Sequence, residues 1–245
     1  MTGNDANTPL PAPMPEIPDA PETGATVTAV APVSSRRTRM GGEPEEYQVH
    51  FDCVDTLTVT ATTVADHRLF KGRHLDAAEI GALRGTDVRQ RATEAAMRQL
   101  GSRPRSVREI ADYLREKGYG PEAIAGATER LTERGYLDDA AFARWYAENR
   151  AQFSPRGPQL LKQELRRKGI AGETIEETLD AQAETTDTDA QALALARPKA
   201  ESLVRNGFAP EVVTRRVAGL LSRRGYGYDS VRTVLRTLKD DGTLG

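Results

Sequence analysis

LREKGY at 114–119, LRRKGI at 165–170 and LSRRGY at 221–226 are three versions of one phrase, and their recurrence decides the fold. Aligned on their glycines, Gly118, Gly169 and Gly225, they lie 51 and 56 residues apart. An aliphatic residue stands eight positions before each glycine (Ile110, Leu161, Val217), a leucine four before it (Leu114, Leu165, Leu221), and another aliphatic six after it (Ile124, Ile175, Val231). Residues eight and four before the glycine share one face of a helix. Glycine then supplies the left-handed residue that ends the helix. The residue that follows is apolar each time (Tyr119, Ile170, Tyr226), as a hydrophobic contact closing the cap requires. The basic residues just before the glycine sit where the helix dipole favours positive charge.

Working outward from the glycine, each unit gains a helix on either side. The third helix of the last copy shows Val231, Val234, Leu235 and Leu238 at i, i+3, i+4, i+7, and Ile124, Ala127, Thr128 and Leu131 keep the same phase in the first. The first helix includes 92–100, 139–153 and 190–204 in the three units, with Pro198 expected to kink or interrupt the last. The reading is an all-α fold of three tandem three-helix repeats at 91–137, 138–182 and 183–245. Units of about 50 residues lean on their neighbours, which predicts an elongated, curved body.

Ahead of the repeats, 47–63 reads YQVHFDCVDTLTVTATT, whose Val, Thr and aromatic content predicts two short strands. Lys71-Gly72 marks a turn, and Asp76 caps a helix over 77–83. Residues 47–90 are thus a small strand, turn and helix preface. Residues 1–46, rich in Pro, Ala, Thr and Gly, are expected to be a disordered tail. No apolar run suits a signal peptide or a membrane span, so the expected location is the cytoplasm. The single cysteine, Cys53, excludes an internal disulfide and is read as a small buried residue in a strand.

The formal net charge of −2 hides its distribution. Residues 1–46 hold three basic residues against seven acids, residues 91–170 hold 16 against 11, and residues 197–239 hold ten against three. Between the two basic blocks lie Glu173, Glu176, Glu177, Asp180, Glu184, Asp187 and Asp189 with no Lys or Arg among them. Lys162 and Arg166 are four apart on the helix that buries Leu161 and Leu165, and Arg167 and Lys168 extend that surface. Arg232, Arg236 and Lys239 form an i, i+4, i+7 stripe opposite the apolar one, and Arg215, Arg216, Arg223 and Arg224 add to the same unit. A charge run is commonly a solvated face. Several runs with little balancing acid point instead to a polyanion or an acidic protein groove, with contacts to phosphate that ignore sequence and weaken with salt. For Arg103 and Arg105, contact with a partner and simple solvation stand as equal readings.

The remaining motifs favour structure over chemistry. Asp138 or Asp139 caps the helix that follows, and Ser106 with Glu109 fits a capping box. Tyr113, Tyr119, Tyr136, Trp145, Tyr146, Phe153, Tyr226 and Tyr228 either stack on bases or pack in the core. Packing is favoured, since Tyr119 and Tyr226 occupy the position that Ile170 fills. His50, His67 and His74 have neither metal-ligand nor triad spacing, and no phosphate loop of the G-x-x-x-x-G-K type occurs, so no catalysis, cofactor or metal is expected.

RPRSVREIADYLREKGY, LTERGYLDDAAFARWYAENR and GPQLLKQELRRKGI together resemble the RecX family of recombinase regulators. The matching residues are Arg103, Arg105 and Ser106, the Gly135 to Asp139 joint, Phe142 and Ala143, Gly157, and Glu164-Leu165 before Gly169. The similarity covers about residues 90 to 240. The Pro-rich tail and Pro198 depart from the family pattern. The resemblance implies a three-repeat helical modulator without catalysis, expected as a monomer, that lies along a RecA–DNA filament and inhibits or modulates strand exchange, ATPase and repair signalling. The competing reading is a sequence-nonspecific protein that binds single- or double-stranded DNA through helix-turn-helix-like units. A purely structural helical adaptor is the third.

Overall fold

The computed structural model describes residues 24–33 and 46–244. These form four short strands, β1 (Ala25–Pro32), β2 (Glu46–Phe51), β3 (Leu57–Thr60) and β4 (His74–Leu75). Ten helices accompany them: α1 (Ala61–Asp66), α2 (Ala77–Leu100), α3 (Val107–Glu116), α4 (Pro121–Glu133), α5 (Asp139–Phe153), α6 (Pro158–Arg167), α7 (Gly172–Thr185), α8 (Thr188–Arg205), α9 (Pro210–Arg223) and α10 (Tyr228–Asp240). The chain divides into two compact units. The first comprises the described residues through Arg103 with Ile110–Leu137, and the second Pro104–Glu109 with the described residues from Asp138 onward.

In the first unit the strands form one antiparallel sheet in the order β3-β2-β1-β4. β1 lies inside the stretch expected to be a disordered tail, which corrects that expectation for residues 24–33, as β2 does for Glu46; the rest of the tail lies outside the described residues. Its sequence ATVTAVAP alternates, and Ala25 and Val27 face the core with Val49, Phe51, Val59, Leu75, Ile80 and Leu83. Averaging composition over 46 residues hides a strand of eight. Cys53 also departs from expectation: it is exposed in the bend after β2, its thiol donating to the Gly24 carbonyl at 3.4 Å. The β2 and β3 strands fall where the sequence predicts two.

α2 begins at the Asp76 capping box with Glu79, as the sequence predicts, but it continues to Leu100 instead of ending near 83. Gly81 and Gly85 lie on its exposed face and do not break it. The expected boundary at 90/91 therefore falls inside one helix. That helix is tied to the sheet by a buried polar cluster. The Asp87 carboxylate accepts the Thr60 amide at 2.9 Å and the Arg91 guanidinium at 2.7 Å, while Arg91 also donates to Glu46 at 2.6 Å and to the Thr58 carbonyl at 2.8 Å. Its other end packs on α4, burying Ala92, Ala95, Ala96, Ile124, Ala127 and Leu131.

In the second unit, α5, α6 and α7 enclose Phe142, Tyr146, Leu161, Leu165, Ile170 and Ile175. α8, α9 and α10 enclose Ala192, Ala196, Ala200, Val213, Val217, Leu221, Val231, Val234 and Leu238. α8 runs on through Pro198, which is exposed, as is Ala194, so the carbonyl deprived of an amide partner faces solvent. The expected interruption is absent because the proline sits away from the alanine face that packs.

The three phrase glycines have φ of +88°, +86° and +84°. In each copy the amide of the residue after the glycine reaches back five positions, Tyr119 to Leu114 at 3.1 Å, Ile170 to Leu165 at 3.2 Å and Tyr226 to Leu221 at 3.1 Å. These are paired-bond glycine caps. All nine aliphatic positions that the alignment singles out are buried.

Candidate partner and nucleic-acid interface

The glycine-ended helices of the second unit also meet other helix ends. The Gly157 amide donates to the Arg224 carbonyl at 2.8 Å and the Gln159 amide to the Gly225 carbonyl at 3.2 Å. The amides opening α6 are thereby satisfied by the carbonyls closing α9, which answers the orphan groups of both termini. The fit is close: a Cβ on Gly157 would stand 2.3 Å from the backbone of Gly225. A second junction joins the end of α6 to the opening turn of α3. There the Ser106 hydroxyl donates to the Lys168 carbonyl at 2.7 Å, and a Cβ on Gly169 would stand 2.7 Å from the Arg108 side chain.

The acidic joint divides its labour across this second junction. Asp138 caps α5, accepting the amides of Ala140 and Ala141 at 2.8 and 2.9 Å. Asp139 instead accepts the Val107 amide at 2.9 Å and so caps α3. Burial raises the Asp139 carboxyl above the ordinary carboxylate range, the Val107 bond opposes that, and neighbouring Asp138 adds to the rise. Ser106 and Glu109 form the capping box that the sequence predicts, with the Glu109 amide donating to the Ser106 hydroxyl at 3.1 Å.

These contacts sort the basic residues. Lys168 donates to Glu109 at 2.5 Å and lies over the rings of Phe142 and Tyr146, 5.8 and 5.1 Å from their centroids. Lys162 is ion-paired with Glu176, a member of the acidic block. Of the four cations on this helix and its cap, those two are ion-paired and half-buried, while Arg166 and Arg167 are exposed. Arg103 and Arg105 are half-buried ahead of α3. On α9, Arg215, Arg216 and Arg223 are exposed, Arg216 lying 4.2 Å from the ring centroid of Phe208, and Arg224 is half-buried at the first junction. Arg232, Arg236 and Lys239 are all exposed on α10.

Two features escape the sequence patterns. Glu164 is a hub that accepts from the Tyr146 hydroxyl at 2.9 Å and from Arg150 at 3.1 Å, with Arg156 at 3.4 Å. Burial raises the Tyr146 phenol, and Arg150 opposes it. Of the aromatics, Tyr146 and Tyr226 are buried, whereas Tyr136, Phe153 and Tyr228 are exposed, Tyr228 by 79%. Among the described residues no group of three or more His, Cys, Asp or Glu is placed to hold a metal ion, and no helix is long and apolar enough to cross a membrane.

Fold and surface together define a class: tandem three-helix bundles preceded in sequence by a small antiparallel sheet, with clustered cations on exposed helix faces. The family model described as RecX, first three-helix domain, matches residues 92–131, and that described as RecX, second three-helix domain, matches residues 138–179. The chain is 35% identical over 133 residues to the regulatory protein RecX of Lactobacillus johnsonii, covering 54% of this chain and 49% of that protein. It is 27% identical over 198 residues to the RecX of Bacillus pumilus, covering 80% and 73%. The chain spans about half the length of the first of the curated relatives it matches. A crystal structure of regulatory protein RecX superposes with a TM-score of 0.67 at 21% identity, covering 88% of this chain and 99% of that one. RecX from Lactobacillus salivarius superposes with a TM-score of 0.55 at 22% identity, covering 63% and 98%. Residues 92–131 and 138–179 are thus similar to the two three-helix domains of RecX proteins, and the two crystal structures share the chain's fold.

Proposed function

We propose that this chain is a non-enzymatic regulator, acting in the cytoplasm, that binds RecA recombinase filaments on DNA and restrains strand exchange and ATP hydrolysis. The observation that carries the reading is the set of exposed cations, Arg166, Arg167, Arg215, Arg216, Arg223, Arg232, Arg236 and Lys239, on the helices of a fold whose relatives are named regulatory proteins. Phosphates and acidic protomer surfaces are the complementary partners of such a face. Arg103, Arg105, Lys162, Lys168 and Arg224, all half-buried, join that contact set in the proposal, Lys162 and Lys168 being ion-paired within the fold as well.

Titration into recombinase filaments, following ATPase and filament length together, tests the proposal. Both should fall as the protein is added, and unchanged ATPase and length would overturn it. Arg166→Ala with Arg167→Ala should weaken filament binding severalfold without altering helicity, a loss that moderate salt diminishes. The exposed cations of α9 and α10 also suit a second reading, a protein that binds bare DNA through its three-helix units. Affinity for naked duplex equal to that for the coated strand would favour it.

A further inference from the structure

The cap glycines put the third helices of the three bundles in one register, so their outer faces can be compared position by position. Positions six and nine past the glycine are buried in each copy: Ile124 and Ala127, Ile175 and Thr178, Val231 and Val234. Positions seven, eleven and fourteen face solvent in each copy. They are occupied by Ala125, Glu129 and Thr132 in α4, by Glu176, Asp180 and Ala183 in α7, and by Arg232, Arg236 and Lys239 in α10. The same fold thus solvates the same face with neutral or acidic side chains twice and with three cations once. Solubility is served by either sign, so it does not account for the reversal.

The position three past the glycine extends the contrast. It is Pro121, then Gly172, then Tyr228. Tyr228 stands four residues before Arg232 on the same face of α10 and is 79% exposed. Asp229 and Asp240 lie at the two ends of the helix, outside the stripe. Three cations in a row match a chain of phosphates, and an exposed aromatic ring at the end of the row matches an unpaired base. A duplex offers the phosphates but keeps its bases stacked inside.

We propose that the outer face of α10, through Tyr228, Arg232, Arg236 and Lys239, is a single-stranded nucleic-acid contact, with the backbone on the cations and a base stacked on Tyr228. The proposal rests on the nucleic-acid part of the reading above and locates it on one helix. It is tested on the full chain by binding of a labelled oligothymidylate and of a duplex of the same length. Tyr228→Ala should lower affinity for the oligothymidylate about tenfold and leave the duplex unaffected, while Tyr228→Phe restores the wild-type value. Arg232→Glu with Arg236→Glu, which copies the charges at 176 and 180, should weaken binding and reduce the slope of log affinity against log salt by about 1.4. Thermal melting of each variant reports whether it folds, and loss of an exposed ring should leave it unchanged. A Tyr228→Ala variant that binds the oligothymidylate as the wild type does, or loses affinity for strand and duplex alike, overturns the stacking contact while the nucleic-acid reading stands. A wild-type chain that binds neither probe overturns both.

Discussion

Three glycines at helix ends, Gly118, Gly169 and Gly157, resist replacement for different reasons. At Gly118 the space that a Cβ would occupy is open to 4 Å, so Gly118→Ala meets only the left-handed backbone and should cost about 1 kcal/mol in urea unfolding. Gly169→Ala adds a collision with the Arg108 side chain and should cost more. Gly157 has an ordinary φ of −68° yet faces the Gly225 backbone, so Gly157→Ala should cost about 2–3 kcal/mol although its φ suits any residue. Equal losses at 118 and 157 would show that the junction relaxes freely. Sequence spacing reveals Gly118, Gly169 and Gly225 because a left-handed cap leaves a local signature. Gly157 leaves none of comparable strength, because its constraint comes from a turn 68 residues further along the chain. The Asp138-Asp139 pair shows the same limit: capping is legible, but the assignment of one carboxylate to α5 and the other to α3 depends on tertiary placement. Asp139 carries a pH consequence. Its raised carboxyl favours the folded state fully below the ordinary carboxylate pKa of about 3.9, and that contribution is lost as pH rises through the higher folded value. Asp139→Asn keeps an acceptor for Val107 without the charge. The variant should match the wild type in acid and gain in melting temperature relative to it as pH rises toward neutrality.

At the scale of elements, amphipathic stripes are the reliable signal and breaks are not. The aliphatic positions aligned on the cap glycines are all buried, since the period of an α-helix fixes which residues share a face. Pro198 reads as an interruption in the sequence, and α2 is expected to stop before Gly85, yet both residues fall on solvent-facing positions where a lost amide or a missing side chain does little harm. The strand β1 is hidden for a different reason: it is stabilised by partners on both sides, β2 and β4, and its own eight residues hold only part of the signal. The link between sheet and helix is also unreadable, because Asp87 and Arg91 look like one more exposed i, i+4 pair. Asp87→Ala would leave the Thr60 amide and Arg91 without their buried acceptor, and a loss of about 2–3 kcal/mol is expected by chemical denaturation. Lys168→Ala should cost about 1–2 kcal/mol through Glu109 and the two rings, whereas Arg166→Ala should leave stability unchanged. Charge counting along the chain places all four cations of this helix in one class. Only the fold separates the two that are ion-paired from the two that face outward.

For the whole molecule, the sheet draws Ala25–Pro32 into the fold. Removing 1–46 would take away β1 from between β2 and β4, uncover Val49, Leu75 and Ile80, and should lower the melting temperature of the first unit. Removing 1–23 spares all four strands, so comparison of the two truncations by circular dichroism isolates the contribution of residues 24–46. The junctions of the second unit have a consequence in time as well as in energy. Amides in the first turn of a helix ordinarily exchange with solvent quickly, because no carbonyl precedes them. Those of Gly157 and Gln159 are held by the last carbonyls around α9, so their release requires two bundles to part. Hydrogen exchange should therefore find these two amides opening together with the amide of Tyr226, as members of one cooperative unit that crosses the boundary between neighbouring bundles.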